Sequence, residues 1–484
     1  MIYDAKRGEG ADSTCVGRSV PQSHGLAGGR GTFSPVMDCI HSNGFPPRSL
    51  YDSDNMSLLH SLLEDSTWDA FLSRRLLVSH MSPSEARSME AYINERRYRD
   101  TVSGLVSGDV ALSIPVMRQV GKMGTDRKRT VFTFDDDEMM FLKVLTAQLH
   151  SYDDLFTDDL YSFRRDRGVK EAIRRLIRTP GLDGLWCYKA DVSDYFNSID
   201  VEVLMPELER DIDDPMLTSF MGGMLRDPRV IRGGKVVTDV RKGAMAGVPT
   251  SSFIANHYLS GLDRTMGLID GVYMRYSDDI ILLTDSESSL MEGREMILRH
   301  LESRGLRVNP SKEKVSLPGE PIEFLGFIYH NGIVDISPGT VSKTKAKIRR
   351  SARSIRRWML RKGVEPEKAM RVMTRKFNDR FFGKEGDGLS WSHWFLPVIN
   401  TDSSLHEVDS YMQMWLRWIV TGRHSNSNNG YVPYTVLRDN GYRTLVNAYH
   451  ARADGSSVRP TRGDGPCECP ESNVYGYGQH PTSL

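Results

Sequence analysis

From residue 57 to about 100, apolar side chains return every three or four residues (Leu58, Leu59, Leu62, Leu63, Trp68, Phe71, Leu72), the spacing of one buried helix face. The 55 residues before this pattern are rich in Gly, Ser and Pro without a period and are expected to be disordered. Met56 stands where the helical pattern opens, so translation is expected to begin there or at Met37, which N-terminal sequencing of the native protein would test. After residue 110 come a short apolar segment, the basic run Arg127-Lys128-Arg129 and the strand-like "TVFTF". The run Asp135-Asp136-Asp137-Glu138 follows; acids in a first helical turn suit the helix dipole, so it reads as a helix start and not as a metal site. Between 185 and 330 strand patterns alternate with helical ones, which predicts an α+β or α/β domain. Residues 340–380 read as a basic helical stretch and 390–450 as Trp-rich helices, with a loose tail over 451–484 and no internal repeat.

Two segments interrupt apolar runs with carboxylates. In "WCYKADVSDYFNSID" a strand-like run ends at Asp191, and in "VYMRYSDDIILLTDS" Asp278 and Asp279 sit between two β-rich runs. The second pattern predicts a hairpin with two acids at its tip. Adjacent carboxylates at a tight turn repel each other and weaken the fold unless a cation neutralises them. Phosphoryl transfer to a hydroxyl uses two divalent ions about 3.5–4 Å apart, one activating the nucleophile and one stabilising the leaving oxygen. Asp191, Asp278 and Asp279 are therefore the candidate ligands, with Mg²⁺ as the expected pair of ions and Mn²⁺ as the alternative.

Composition changes this picture little. The 484 residues are 39% hydrophobic and 26% charged, ordinary globular values, and formal net charge is zero. Zero net charge leaves room for a local basic track that binds nucleic acid. Five scattered cysteines show no zinc spacing, and no run has the length of a membrane span or the make-up of a signal peptide. A reducing, cytoplasmic setting without a membrane partner is the expectation.

At these residues the chain resembles a known family. "ADVSDYFNSI" and "YSDD" are similar to the two metal-binding motifs of prokaryotic reverse transcriptases, and "GVPTSSFIANHYLSGLD" resembles the block between them. "RGLRVNPSKEKV" and "IEFLGFIYH" resemble the last two palm blocks, while "SIPVMRQVGKMGTDRKRTVFTF" and "DDLYSFRRDRGVKEAI" resemble the fingers blocks of group II intron and other bacterial enzymes. The resemblance, in family order over roughly 110–330, implies an α+β right-hand polymerase: fingers, a palm of antiparallel sheet backed by helices, and a helical thumb. The expected division is a helical extension at 56–109, fingers and palm at 110–338, and a thumb and C-terminal region at 339–450.

The same resemblance implies roles for single residues. Asp191, Asp278 and Asp279 become the catalytic acids, and the implied metal set is Asp191, Val192, Asp278 and Asp279. Phe196 takes the place of a steric gate, whose ring would clash with a ribose 2′-OH. Arg127 and Arg129 would contact the triphosphate, with Gly247 and Pro249 also at the substrate, and Lys312 would protonate the pyrophosphate leaving group. The "FLGF" run resembles a primer grip, with plain β-core as the other reading. The family usually has Pro-Gln before the Gly of its third block, whereas this chain has Met245-Ala246-Gly247, which puts sugar and base selection in question.

Past the palm, "VSKTKAKIRRSARSIRRWMLRKG" places Lys345, Arg349, Arg353 and Arg357 at i, i+4 spacing, with Ile348, Ile355 and Met359 on the other face. A thumb helix following a nucleic-acid backbone would have this pattern. Leu405, Val408, Tyr411, Met412, Trp415 and Leu416 form a second stripe, its Trp residues read as core and not as base-stacking groups. No endonuclease or RNase H set is visible. The leading expectation is an RNA-directed DNA polymerase with an RNA template, dNTPs and a DNA product, acting in antiphage defence. Untemplated synthesis, a dedicated noncoding RNA template, and a splicing scaffold or maturase remain as alternatives, and the oligomeric state and any protein partner stay open.

Overall fold

The helical spacing after Met56 becomes four helices: α1 (Leu58–Ser61), α2 (Asp65–Val78), α3 (Pro83–Asn94) and α4 (Tyr98–Ser107). The structure, a computed structural model, describes residues 56–78, 83–121, 128–238, 242–383 and 390–453. The expectations for residues 1–55, for Arg127, and for four of the five cysteines (Cys15, Cys39, Cys467, Cys469) lie outside these residues, as does the tail from 454 onward. Trp68 is fully buried and stacks on Tyr98, ring centroids 4.0 Å apart, which pins α2 to α4. Asp214 Oδ2 accepts hydrogen bonds from Ser57 Oγ (3.0 Å) and Leu58 N (2.8 Å), which ties this lead-in to a distant part of the chain.

A small sheet comes next. β1 (Val116–Gly121) and β2 (Lys128–Thr133) pair antiparallel. Asp135 then caps α5 (Asp136–Leu149) in a reciprocal capping box with Glu138, so the acidic run is a helix start, as its position before an apolar stripe predicts. After α6 (Val169–Arg178) the chain enters β3 (Trp186–Asp191), α7 (Tyr195–Ser198), α8 (Val201–Asp211) and α9 (Pro215–Arg226). The hairpin of β4 (Arg229–Arg232) and β5 (Lys235–Thr238) joins the small sheet in the order β2-β1-β4-β5.

The central sheet is assembled from distant segments. Helices α10 (Ser251–Tyr258) and α11 (Ser260–Met266) lead to β6 (Val272–Tyr276) and β7 (Asp279–Thr284). After α12 (Glu287–Ser303) comes β8 (Lys314–Ser316), and the order β6-β7-β3-β8 is antiparallel throughout. Alternation along these strands builds two faces. Tyr188, Ala190, Ile280 and Leu282 pack with α8 and α10–α12 in one core, while Cys187, Met274, Ile281 and Leu283 enter a second core.

That second core continues through β9 (Ile322–Phe324), β10 (Phe327–His330) and β11 (Ile333–Ile336) into the C-terminal helices. These are α13 (Pro338–Lys362), α14 (Pro366–Phe381), α15 (Trp391–Phe395), α16 (Ser403–Thr421), α17 (Asn428–Tyr431), α18 (Tyr434–Asp439) and α19 (Leu445–Ala453). Helix α19 therefore extends three residues into the stretch read as loose tail. Leu405, Val408, Met412, Trp415 and Leu416 of α16 are buried, as the stripe predicts. The "FLGF" run is the tight turn from β9 to β10, with Leu325 and Gly326 at positive φ and both Phe rings buried. The fold is α+β, as the sequence predicts.

Candidate active site

The register of β3 and β7 sets Asp191 directly opposite Asp279, on one face of the sheet. Asp278 occupies the two-residue turn between β6 and β7, preceded by Ser277 at φ +59°. The carboxylates of Asp191, Asp278 and Asp279 converge, with one oxygen of each within 4.8 Å of the others. Among the described residues no other trio of His, Cys, Asp or Glu side chains gathers in this way. Main-chain bonds lock the arrangement: Val192 N donates to Asp278 O (2.9 Å), Asn309 N to Asp191 O (2.7 Å) and Ser193 N to Arg307 O (2.8 Å). As an apolar residue, Val192 offers a metal only its carbonyl oxygen.

The site carries more negative charge than it can settle alone. Burial pushes the Asp278 carboxyl up to about 6, with the neighbouring charges of Asp279 and Asp191 adding to the shift. Asp279 is raised as well, by burial first, although Lys189 pulls it down and Asp191 pushes it up. Lys312 forms an ion pair with Asp191 Oδ2. Burial disfavours the Lys312 ammonium, but the hydrogen bond and charge of Asp191 outweigh that and raise its pKa. The donors are all hard oxygens with surplus charge, the set that suits Mg²⁺ or Mn²⁺.

The remaining expected residues cluster in two groups. Phe196 is half-buried and meets Tyr195 edge-on at 5.7 Å. Its carbonyl accepts from Ala244 N (2.7 Å), and a Cβ on Gly243 (φ +54°) would run into that same oxygen. Phe132 N donates to Ala246 O (2.8 Å), so the loop around Gly247 and Pro249 is held between β2 and the Phe196 turn. Gly247 lies at φ +104°, and a Cβ there would sit 2.9 Å from Phe132 O and 3.5 Å from Val131 Cβ. Arg129, two residues before Val131, is exposed and projects from the same sheet face. Ala246 stands where the family usually has Gln; its N–H reaches Asn197 Oδ1 at 3.4 Å.

On α13, Arg349, Arg353 and Arg357 are exposed and Ile348, Ile355 and Met359 buried. Lys345 instead turns onto α16, paired with Glu407 and 5.2 Å from the Tyr411 ring centroid. Each i, i+4 step advances 400° around a helix, so a line of four such residues drifts about 120° and its first member reaches the helix interface. Three residues near the acids had no reading from the sequence: Lys189, Lys343 and Asn309. The charges of Lys189 and Lys343 act on Asp279, and Asn309 Nδ2 lies 3.4 Å from Asp191 Oδ1. Lys189 was legible as a lone charge in an apolar strand; Lys343 was one cation among many.

Three acids gather at one end of an antiparallel sheet, with a basic helix beside them, an arrangement able to hold divalent cations. Residues 122–329, less than half of the chain, match the reverse transcriptase (RNA-dependent DNA polymerase) family. Protein YkfC of Escherichia coli (strain K12) is 26% identical over 209 residues, 34% of this chain and 53% of that protein, so the chain spans about half the length of this curated relative. Solved structures show remote likenesses that add nothing to the assignment. Apo telomerase from Candida tropicalis, truncated from its C-terminal domain, has 13% identity and a TM-score of 0.39 over 47% of this chain and 55% of its own. Telomerase from Candida albicans with a TWJ fragment of telomeric RNA has 13% identity and a TM-score of 0.37 over 76% and 71%. Among the described residues no helix is long and apolar enough to cross a membrane.

Proposed function

We propose that this chain is an RNA-directed DNA polymerase acting through two divalent ions at Asp191, Asp278 and Asp279, with the Val192 carbonyl as a further ligand. The observation that carries this is the convergence of three carboxylates within 4.8 Å on a strand end and a hairpin tip. Bound there, Mg²⁺ would lower the pKa of a primer hydroxyl and offset charge on the leaving pyrophosphate. Asp191 and Asp279, fixed by strand register, hold the ligand geometry; Asp278 completes it from the turn. Arg129 forks onto the triphosphate, and Gly247 and Pro249 shape the wall behind it. Phe196 blocks a 2′-OH, and Lys312, protonated beside Asp191, would donate its proton to the leaving group.

The test is primer extension on a defined RNA template with Mg²⁺ and dNTPs, beside the Asp278→Ala protein. DNA made from the wild type alone is the expected result. A folded wild type that makes none sinks copying of a free RNA template, and sequencing copurified nucleic acid then separates a dedicated RNA template from untemplated synthesis. RNA binding without any dependence on Asp278 in cells would favour a splicing scaffold. By its resemblance to stand-alone bacterial enzymes, the biological setting is cytoplasmic antiphage defence; equal phage plating on wild-type and Asp278→Ala cells would count against that role.

A further inference from the structure

The turn that carries Asp278 is gripped from below by side chains no motif assigns. Ser277 is buried and held at φ +59°, a conformation that costs a non-glycine residue energy unless its surroundings impose it. Its N–H donates to Ser162 Oγ at 2.8 Å, and its carbonyl accepts from Arg275 Nη1 at 3.2 Å. The grip closes into a ring. Ser162 Oγ donates to Asn256 Oδ1 (2.9 Å), Asn256 Nδ2 donates back to Ser162 O (2.8 Å), and Asn256 O accepts from Arg275 Nη2 (3.1 Å).

Arg275 cannot swing away. It is fully buried, as is Asp263, whose two oxygens take its Nε and Nη2 at 2.7 and 2.6 Å. Tyr273 Oη donates to the same carboxylate at 2.9 Å. The segment bearing Ser162 also runs along the outer edge of β6: Arg275 N donates to Asp159 O (2.8 Å) and Tyr161 N to Arg275 O (2.9 Å). Ser277 Oγ is buried without a partner, but the side chains of Ser162, Asn256, Asp263, Tyr273 and Arg275 bond one another, which favours one geometry, and that network ends at the peptide before Asp278.

We propose that Ser162 and Arg275 are positioning residues for Asp278: they clamp the Ser277 peptide from its two sides and thereby set where the Asp278 carboxylate meets the metal. The inference rests on the polymerase reading and adds to it. It also makes the segment leading into α6 a mechanical part of the metal site, because Ser162 belongs to that segment.

The test uses full-length Ser162→Ala, with Tyr442→Phe as a control that removes an equally buried hydroxyl from the distant helical bundle. Three quantities are compared: Mn²⁺ affinity by electron paramagnetic resonance titration, kcat and KM in primer extension, and melting temperature. Ser162→Ala is expected to weaken Mn²⁺ binding about tenfold and to lower kcat about a hundredfold, with KM for primer–template unchanged. Tyr442→Phe is expected to lower the melting temperature alone. Wild-type Mn²⁺ affinity and kcat in Ser162→Ala would overturn the positioning role, as would equal losses in the control. A folded wild type that neither binds Mn²⁺ nor extends primers would bring down the polymerase reading and this inference together.

Discussion

Asp191 and Asp279 face each other across β3 and β7 as a directly opposed antiparallel pair. Like charges so placed oppose sheet formation, and the chain accepts that at the end of an otherwise apolar pair of strands. The register that brings them together is fixed by Ala190, Ile280 and Leu282 on one face and Cys187, Ile281 and Leu283 on the other. A one-residue slip would turn every side chain of a strand from one packed core to the other, so apolar packing holds the site against its own repulsion.

Selection of the sugar is expected to depend on Phe196. In Phe196→Ala the half-buried ring is gone while the Ala244–Phe196 backbone bond remains. Discrimination against ribonucleotides should fall about a hundredfold, measured as the ratio of kcat/KM for a dNTP to that for the matching NTP. An unchanged ratio would remove Phe196 from the gate.

Gly243 should tolerate no side chain. Gly243→Ala places a methyl group against the Phe196 carbonyl at a left-handed backbone position. A loss of about 3 kcal/mol in urea unfolding is expected, since neither backbone can yield without moving Phe196.

The cations of α13 should divide into two kinds. Arg349→Gln or Arg357→Gln is expected to weaken primer–template binding and to reduce the salt slope of the affinity by about 1 each. Lys345→Gln should leave that slope unchanged, because Glu407 and Tyr411 already engage the ammonium. Binding measured over a series of salt concentrations distinguishes them.

Stability should carry a pH signature from Asp409, which is buried in α16. It accepts hydrogen bonds from Tyr442 Oη (3.0 Å), Leu445 N (3.0 Å) and Val446 N (3.1 Å). Burial nonetheless pushes its carboxyl up to about 6. A raised folded-state pKa contributes stability that is present below the ordinary aspartate range and lost as pH rises through about 6. Between pH 4 and 7 the wild type should therefore lose about 2 kcal/mol relative to Asp409→Asn in urea titrations. Parallel profiles would contradict this.

The sequence by itself determined the local elements. The β-rich apolar runs on either side of "YSDD" predict the hairpin and its acidic tip, the acids before an apolar stripe predict the capped start of α5, and the 3.6-residue stripe predicts α16. Each is legible because the residues that decide it lie within one or two turns of each other. Tertiary structure alone decided what meets across long stretches of chain. Ser162 finds Ser277 115 residues away, Arg275 is neutralised by an aspartate on another element, and Lys345 is claimed by Glu407. Arg275 left a trace, a lone charge inside an apolar strand, but nothing local named its partner. Strand pairing and helix packing choose such partners, and they depend on the whole chain's burial of apolar surface rather than on any one segment's pattern.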